Sequence, residues 1–497
     1  MMVVKRILFF SVLTSCVLSA IDLRINGANT GGFWVFTDTA LQYKEHFEDK
    51  LKLNGTYGDL SLRTVFFTWF PSLPASLVES LTYVDYTIAY RKTPVNIQYG
   101  RFYTTFGRGL CLNQYLDEDF RVDNSLSGIK TEIEIYKSKF TMLIGKPRNI
   151  FFEENKYKIK NDLTDQIGGV NLDVGLIPKT ALGGRYVRIN TRNDLDPSAF
   201  TELYGGNLGA SLGPFEAYGE YAMQKGCYPV YGGRLSGKGY LTTASFSIPR
   251  LGIVGQYMDF DSLGFPYGAT YRYNEPPNPI KAGIGVTRGV DEKGYGGTIT
   301  FTPIDILSGE ASHNRLFTHD KNAGVYETVG KLIGHPNDRM EILAQTEYII
   351  RDKIEAIVLS GQTVSYKKQE VKPMLELTYD LGSFYVEASF EMGRYTVEAL
   401  ALKSTYMDQD VSIAVGKPEF MVLTLKYGWR DRTPYWLIDK ITREKSWPLV
   451  ELSWDISNRH NLRILAGAMR GGVICTGGVC RFEVPFKGIR LTMTSLF

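Results

Sequence analysis

Leu375-Glu376-Leu377-Thr378-Tyr379-Asp380, then Gly382-Ser383, then Phe384-Tyr385-Val386-Glu387-Ala388-Ser389-Phe390-Glu391 is the stretch that decides the fold. Its first run puts apolar residues at odd positions and polar ones at even positions. After the Gly-Ser break the rhythm restarts with Phe384, Val386, Ala388 and Phe390 on one face and Tyr385, Glu387, Ser389 and Glu391 on the other. Successive strand residues point to opposite faces, so a period of two broken by turn residues predicts a hairpin with one apolar and one polar face.

The same rhythm recurs outward along the chain. Val450, Leu452, Trp454 and Ile456 alternate with Glu451, Ser453 and Asp455, and Ile133 and Ile135 with Glu132 and Glu134. Phe215, Ala217, Gly219 and Tyr221 alternate with Glu216, Tyr218 and Glu220. A soluble sandwich or barrel would alternate as well. The runs are longer than the five or six residues usual in soluble sheets. Aromatics near strand ends, Tyr83, Tyr86, Tyr90, Trp447 and Trp454, suit the interfacial girdles of a membrane barrel. The expectation is an all-β chain forming one large antiparallel transmembrane β-barrel, with polar side chains toward its lumen.

Short connections are expected at Tyr57–Asp59, Lys92–Pro94, Lys137–Lys139, Leu176–Lys179, Leu212–Pro214, Pro249-Arg250, Gly289–Gly294, Arg351–Lys353, Asp380–Ser383, Gly416–Glu419 and Ser457–Asn461. Longer polar connections lie between them, as at Asn149–Asp165, Lys225–Gly239, Asp259–Pro279, Pro303–Asp338 and Trp429–Ser446. Eleven short turns join twenty-two strands, and Leu23–Phe36 and Arg481–Phe497 at the ends raise the count to about 24, within a range of 20 to 26. Short turns and both ends then fall on the periplasmic side of a bacterial outer membrane.

Composition agrees with one continuous architecture. The 497 residues include 50 Gly, 31 Tyr and 27 Phe, with no linker-like stretch dividing them. Lys5 and Arg6, an apolar core from Ile7 to Leu13 and small residues ending at Ser19-Ala20 lay out a secretory signal peptide over 1–20, followed by a barrel over 21–497. Leu13-Thr14-Ser15-Cys16 also has the layout of a lipobox, an alternative cut. Beyond the signal no apolar run is long enough for a membrane helix. Without Lys5 and Arg6, 54 basic residues face 53 acidic ones, which gives no basic patch for nucleic acid.

Cys475 and Cys480 flank Thr476-Gly477-Gly478-Val479 and predict a disulfide across an external hairpin in an oxidising compartment; Cys111 and Cys227 read as free thiols. The chain ends on Phe497, in phase with Ile489, Leu491 and Met493, which resembles the terminal-strand signal read by the barrel-assembly machinery, although Ser495 stands where that pattern prefers an apolar residue.

One segment is particular. Gly100-Arg101-Phe102-Tyr103-Thr104-Thr105-Phe106-Gly107-Arg108-Gly109-Leu110 is followed by Val122-Asp123-Asn124-Ser125-Leu126-Ser127-Gly128. These residues resemble the FGRGL and DNS-x-x-G segments of a domain-of-unknown-function family of outer-membrane β-barrels best known from Bacteroidota-like bacteria. The close match spans about thirty residues, and Arg101 departs from it where an acidic residue is expected. The resemblance implies a fold and no activity. The residues themselves mark a loop long enough to fold into the lumen. Gly107 and Gly109 permit unusual backbone, and Arg108 offers a rigid fork to Asp117, Glu118, Asp119 or Asp123. This loop is read either as a structural one held by salt bridges or as a pore constriction, with Arg108, Arg121 and the acids setting charge selectivity.

No nucleophile elbow, phosphate loop or dinucleotide fingerprint stands in suitable context, so no enzyme and no cofactor are expected. Of His46, His313, His319, His335 and His460, only His313 and His319 with Asp320 offer a grouping that could hold a metal, and loop histidines without a spaced cysteine or carboxylate set are usually solvated. The functional expectation is a pore or transporter for a polar solute, with outer-membrane lipid around it. The rival is a barrel plugged by its own loops that serves secretion, surface assembly or adhesion. A TonB-dependent receptor is disfavoured, because fewer than sixty residues precede the strand run.

Overall fold

The structure is a computed structural model. It describes residues 23–497 apart from 38–44, 73–79, 119–120, 154–155, 161–164, 178, 191–198, 229–232, 265–272, 275–290, 360–361, 401, 433–444, 471, 477–478 and 484–485. The signal segment, Cys16 and Asp119 therefore lie outside the described residues.

Twenty-four antiparallel strands close into one barrel, from Leu23–Phe36 to Phe486–Leu496. Closure is direct: Phe486–Leu496 pairs on one side with His460–Met469 and on the other with Leu23–Phe36. Two short strands, Leu116–Asp117 and Lys156–Lys160, extend the same sheet. Phe497 fastens the seam through reciprocal backbone hydrogen bonds with Gly27, at 2.7 and 3.0 Å. A Cβ on Gly27 would meet the Phe497 ring at 2.5 Å, so glycine is what lets the terminal ring lie there.

Which face is apolar separates a membrane barrel from a soluble one. Leu375, Leu377 and Phe390 point outward, 52, 37 and 41 % exposed, whereas Glu370 on the inner face is 2 % exposed. The outer face continues as Leu62, Phe66, Ile413, Leu423 and Leu491, and charged side chains turn inward. In water this surface would be a large apolar patch; in a bilayer it is the required one. Tyr204, Tyr221, Tyr240, Tyr257 and Tyr295 form an outward belt, with Tyr221 and Tyr240 rings 4.9 Å apart. The expected girdle needs correction at two positions. Tyr86, Tyr90 and Trp454 do face out, but Trp447 is 4 % exposed and Tyr83 packs on the inner face. Tyr83 and Tyr86 are an odd number of residues apart, and an odd spacing puts two strand residues on opposite faces.

Eleven connections of two to four residues share one rim with Leu23 and Phe497, and the opposite rim carries the longest ones, 103–121 and 262–290 among them, beside short ones at 229–232, 360–361 and 400–401. Two expected turns are not turns. Gly294 lies inside strand Asp291–Ile304, where a Cβ would come within 2.5 Å of the Arg315 carbonyl; the glycine serves close strand packing. Arg351-Asp352-Lys353 lies inside strand Met340–Leu359, at a bulge where the register shifts and Lys353 has φ +57°. The two turns missed are Asp305-Ile306, which carries little polar signal, and Asp338-Arg339, where the Asn337 side chain accepts from the Arg339 amide at 3.0 Å. Long connections expected over Pro303–Asp338 are thus two strands, Leu307–Phe317 and Gly324–Asn337. The two errors offset the two omissions, and the strand count of 24 stands.

Candidate functional site

Strand Val95–Phe102 ends at the long-connection rim, and the chain there turns back into the lumen. Thr104–Phe106 pairs with Leu112–Gln114 as a small hairpin whose tip is Gly107 to Cys111. Gly107 and Gly109 have φ of +60° and +98°, and the Gly109 amide donates to the Phe106 carbonyl at 3.1 Å to close the turn. A Cβ on Gly107 would lie 2.5 Å from the Glu220 carboxylate, so the tip approaches the wall at a distance only glycine allows. Phe106, Leu110, Cys111 and Leu112 are at most 1 % exposed and share one apolar core with inward residues of the wall, among them Leu126, Leu203 and Leu241. Two more inward residues, Leu263 and Tyr273, join that core, and the Asn274 amide donates to the Leu110 and Leu263 carbonyls at 3.0 and 2.7 Å.

Beneath the tip sits a dry polar node. The Glu220 carboxylate accepts from the Arg108 amide at 2.8 Å, from the Arg185 guanidinium at 2.8 Å and from the Tyr218 hydroxyl at 2.5 Å. The side chains of Arg185 and Glu220 are both 0 % exposed. Arg108 lays its guanidinium over the Tyr218 ring, 4.3 Å from its centre, and edges a cavity of about 680 Å³ on the short-turn side, with Lys179, Glu216 and Gln256. Burial pushes the Cys111 thiol up to about 12 despite the opposing charge of Arg185, and burial thus keeps the thiol protonated and unreactive at neutral pH.

The return leg is built differently. Glu118 accepts from Lys50 at 2.7 Å and from Lys52 at 2.8 Å, and its side chain is 52 % exposed. Burial raises its pKa, but the hydrogen bonds from Lys50 and Lys52 and their charges outweigh that and hold it at about 2. Arg121 is 3.7 Å from Glu48 and lies over the Trp34 ring. Asp123 is 3.6 Å from Arg148, which is itself bound by both oxygens of Asp85. Between this leg and the wall lies a cavity of about 320 Å³, lined also by Asp117, Arg63 and Arg490.

The pairing expected for Arg108 is therefore corrected: its neighbours are Glu220 and Tyr218, while Glu118 and Asp123 turn to Lys50, Lys52 and Arg148. Arg108 is at the hairpin tip and the acids are on the returning strand, so the fold holds them against opposite parts of the wall. Sequence reasoning missed Glu220, Arg185, Lys50 and Lys52 as partners. Each was legible only as an inward position of a strand, and contacts across 35 to 112 residues leave no local signal. Arg101, the departure from the family pattern, donates to Asp85 at 3.0 Å. His313 and His319 are not brought together: His313 faces Thr328 at 2.9 Å, and His319 lies between Asp259 and Asp291. Asp320 instead caps its own turn through Thr318 and Asn322. Backbone register sets Cys475 directly opposite Cys480, within the span a disulfide needs, while their side chains lie outside the described residues.

Residues 75–277 match a family of unknown function (DUF6029), less than half of the chain but including this whole loop. No curated protein matches. Among solved structures, the siderophore receptor PirA from Pseudomonas aeruginosa is similar over 95 % of this chain and 80 % of that one, at 9 % identity and a TM-score of 0.50. An E. coli P pilus tip assembly intermediate, PapC-PapD-PapK-PapG, is similar over 96 % of this chain and 61 % of that one, at 10 % identity and a TM-score of 0.52. At these identities the likeness is one of fold, and the fold is that of bacterial outer-membrane β-barrels.

Proposed function

We propose that this barrel passes a small polar solute across the outer membrane, with short turns and both ends in the periplasm and the loop 103–121 as its constriction. The observation that carries the reading is the asymmetry of the lumen. Beside the inner loop lie two cavities lined by charged side chains, one against the return leg and one at the tip toward the short-turn rim. A stopper meant only to seal would leave no charged cavity beside it. In this reading Arg108, Arg121, Asp117, Glu118 and Asp123 set charge selectivity, Asp119 belonging to the same leg. Phe497, with Ile489, Leu491 and Met493, is the signal for the assembly machinery, and the protein has no catalytic role. Planar-bilayer recording of the purified protein tests it: discrete conductance steps support passage, and an electrically silent, fully folded barrel contradicts it.

A second reading has its own support. The tip is packed as tightly as a protein core, with Phe106, Leu110 and Leu112 dry against the wall, as a permanent plug in a scaffold for secretion, surface assembly or adhesion would require. The silent barrel is the outcome that favours it.

A further inference from the structure

The cavity beside the return leg is lined by five guanidinium and ammonium groups, Lys50, Lys52, Arg63, Arg121 and Arg490, and by five carboxylates, of which only Glu118 comes from the half-exposed end of the leg, so that moving Glu118 aside leaves one positive charge in excess. Arg63 makes no ion pair among the described residues and is exposed to the cavity. Lys50 and Lys52 point inward from the neighbouring strand, and Val65 is the register partner of Lys52, which makes Arg63 its diagonal neighbour at about 7–8 Å. Glu118 bridges the two lysines at 2.7 and 2.8 Å from a connecting leg, not from a wall strand, and water reaches half of it. A carboxylate held this way has the form of a bound solute carboxylate.

We infer that this cavity is a binding site for a small, multiply charged oxyanion, a dicarboxylate or phosphate-bearing solute, and that Glu118 is its built-in occupant, displaced when the solute arrives. One charged end of the solute takes the place of the Glu118 carboxylate between Lys50 and Lys52, and the other reaches Arg63. The volume of about 320 Å³ is at the small end of ligand sites and admits such a molecule. The inference rests on the solute-passage reading and gives that solute a chemical class.

Isothermal titration calorimetry of the full purified chain in detergent micelles tests it, with succinate and inorganic phosphate as probes. Removing the internal competitor, Glu118→Gln tightens binding of either probe about tenfold or more, and Arg63→Gln weakens succinate about tenfold. Lys50→Gln with Lys52→Gln abolishes binding, and Lys50→Arg restores it in part. Binding seen only in Glu118→Gln supports the inference, because the native carboxylate then wins the competition. No heat in Glu118→Gln, or equal affinity in Glu118→Gln and wild type, overturns it. If the double lysine variant does not fold, Arg63→Gln decides: unchanged succinate affinity overturns the site. Micelle binding needs no conduction, so anion binding by a silent barrel leaves the site standing without the pore. Conduction with no anion binding does the reverse.

Discussion

The tip of the inner loop and its return leg are only ten residues apart, yet they are held by opposite physics. The tip is dry: apolar side chains at most 1 % exposed, and an Arg185–Glu220 pair at 0 % exposure. The return leg is wet: Glu118 is half exposed between two lysines, and Arg121 reaches Glu48 across 3.7 Å. Buried charge pairs are costly to break and give little when exchanged as a unit, whereas exposed pairs contribute about 0–1 kcal/mol and exchange readily with water and ions. In the proposed reading the tip holds the loop in position and the leg is the part free to respond to a solute.

The sharpest way to break the comparison is at the tip. Arg185→Ala strands the Glu220 carboxylate in a dry site and is expected to cost about 3–5 kcal/mol, seen as a lower unfolding temperature and a loss of the heat-modifiable folded band. A change below about 1 kcal/mol would mean that water reaches the node. Next is Asp123→Asn, at the base of the leg. Arg148 keeps its two-oxygen contact with Asp85, so the expected loss is about 1.5–3 kcal/mol, with the barrel still assembled. Arg108→Ala removes a cation that edges the lower cavity and contacts the wall by its backbone amide and the Tyr218 face. Stability changes by about 1 kcal/mol or less, and the reversal potential in a salt gradient moves toward cation selectivity. A large stability loss there would place Arg108 with the dry node instead.

The smallest effect is in pH. Glu118 titrates below its unfolded value of about 4.3, so its grip on the leg is present above that value and is lost as pH falls through about 2. Any conductance difference between wild type and Glu118→Gln therefore persists from neutral pH to about pH 3 and disappears near pH 2. A difference already gone at pH 4 would show that Lys50 and Lys52 do not hold the leg.

How far the sequence reached follows the same divide between local and distant. Alternation is local, so Leu375 to Glu391 announces its hairpin, its faces and, by repetition, the whole barrel. Turn chemistry is nearly local. It succeeded at Gly213-Pro214 and failed where Arg351-Asp352-Lys353 proved to be a bulge and where Asp305-Ile306 turned with little polar signal. Gly107-Arg108-Gly109 was legible as an unusual loop because glycine admits backbone conformations closed to other residues. Its partners were not, since Glu220 lies 112 residues on and looks like any other inward carboxylate. The face of a residue was misjudged only where parity was ignored, as at Tyr83 and Trp447.

A constriction role requires that the hairpin stand inside a membrane-spanning lumen. Replacing Thr104–Gln114 by a short Gly-Ser bridge and recording single channels beside the wild type tests that most directly. With the hairpin gone, the conductance rises several-fold while the heat-modifiable β-rich band is retained. Equal conductance in a folded deletion variant would put the hairpin outside the conducting path and contradict the account.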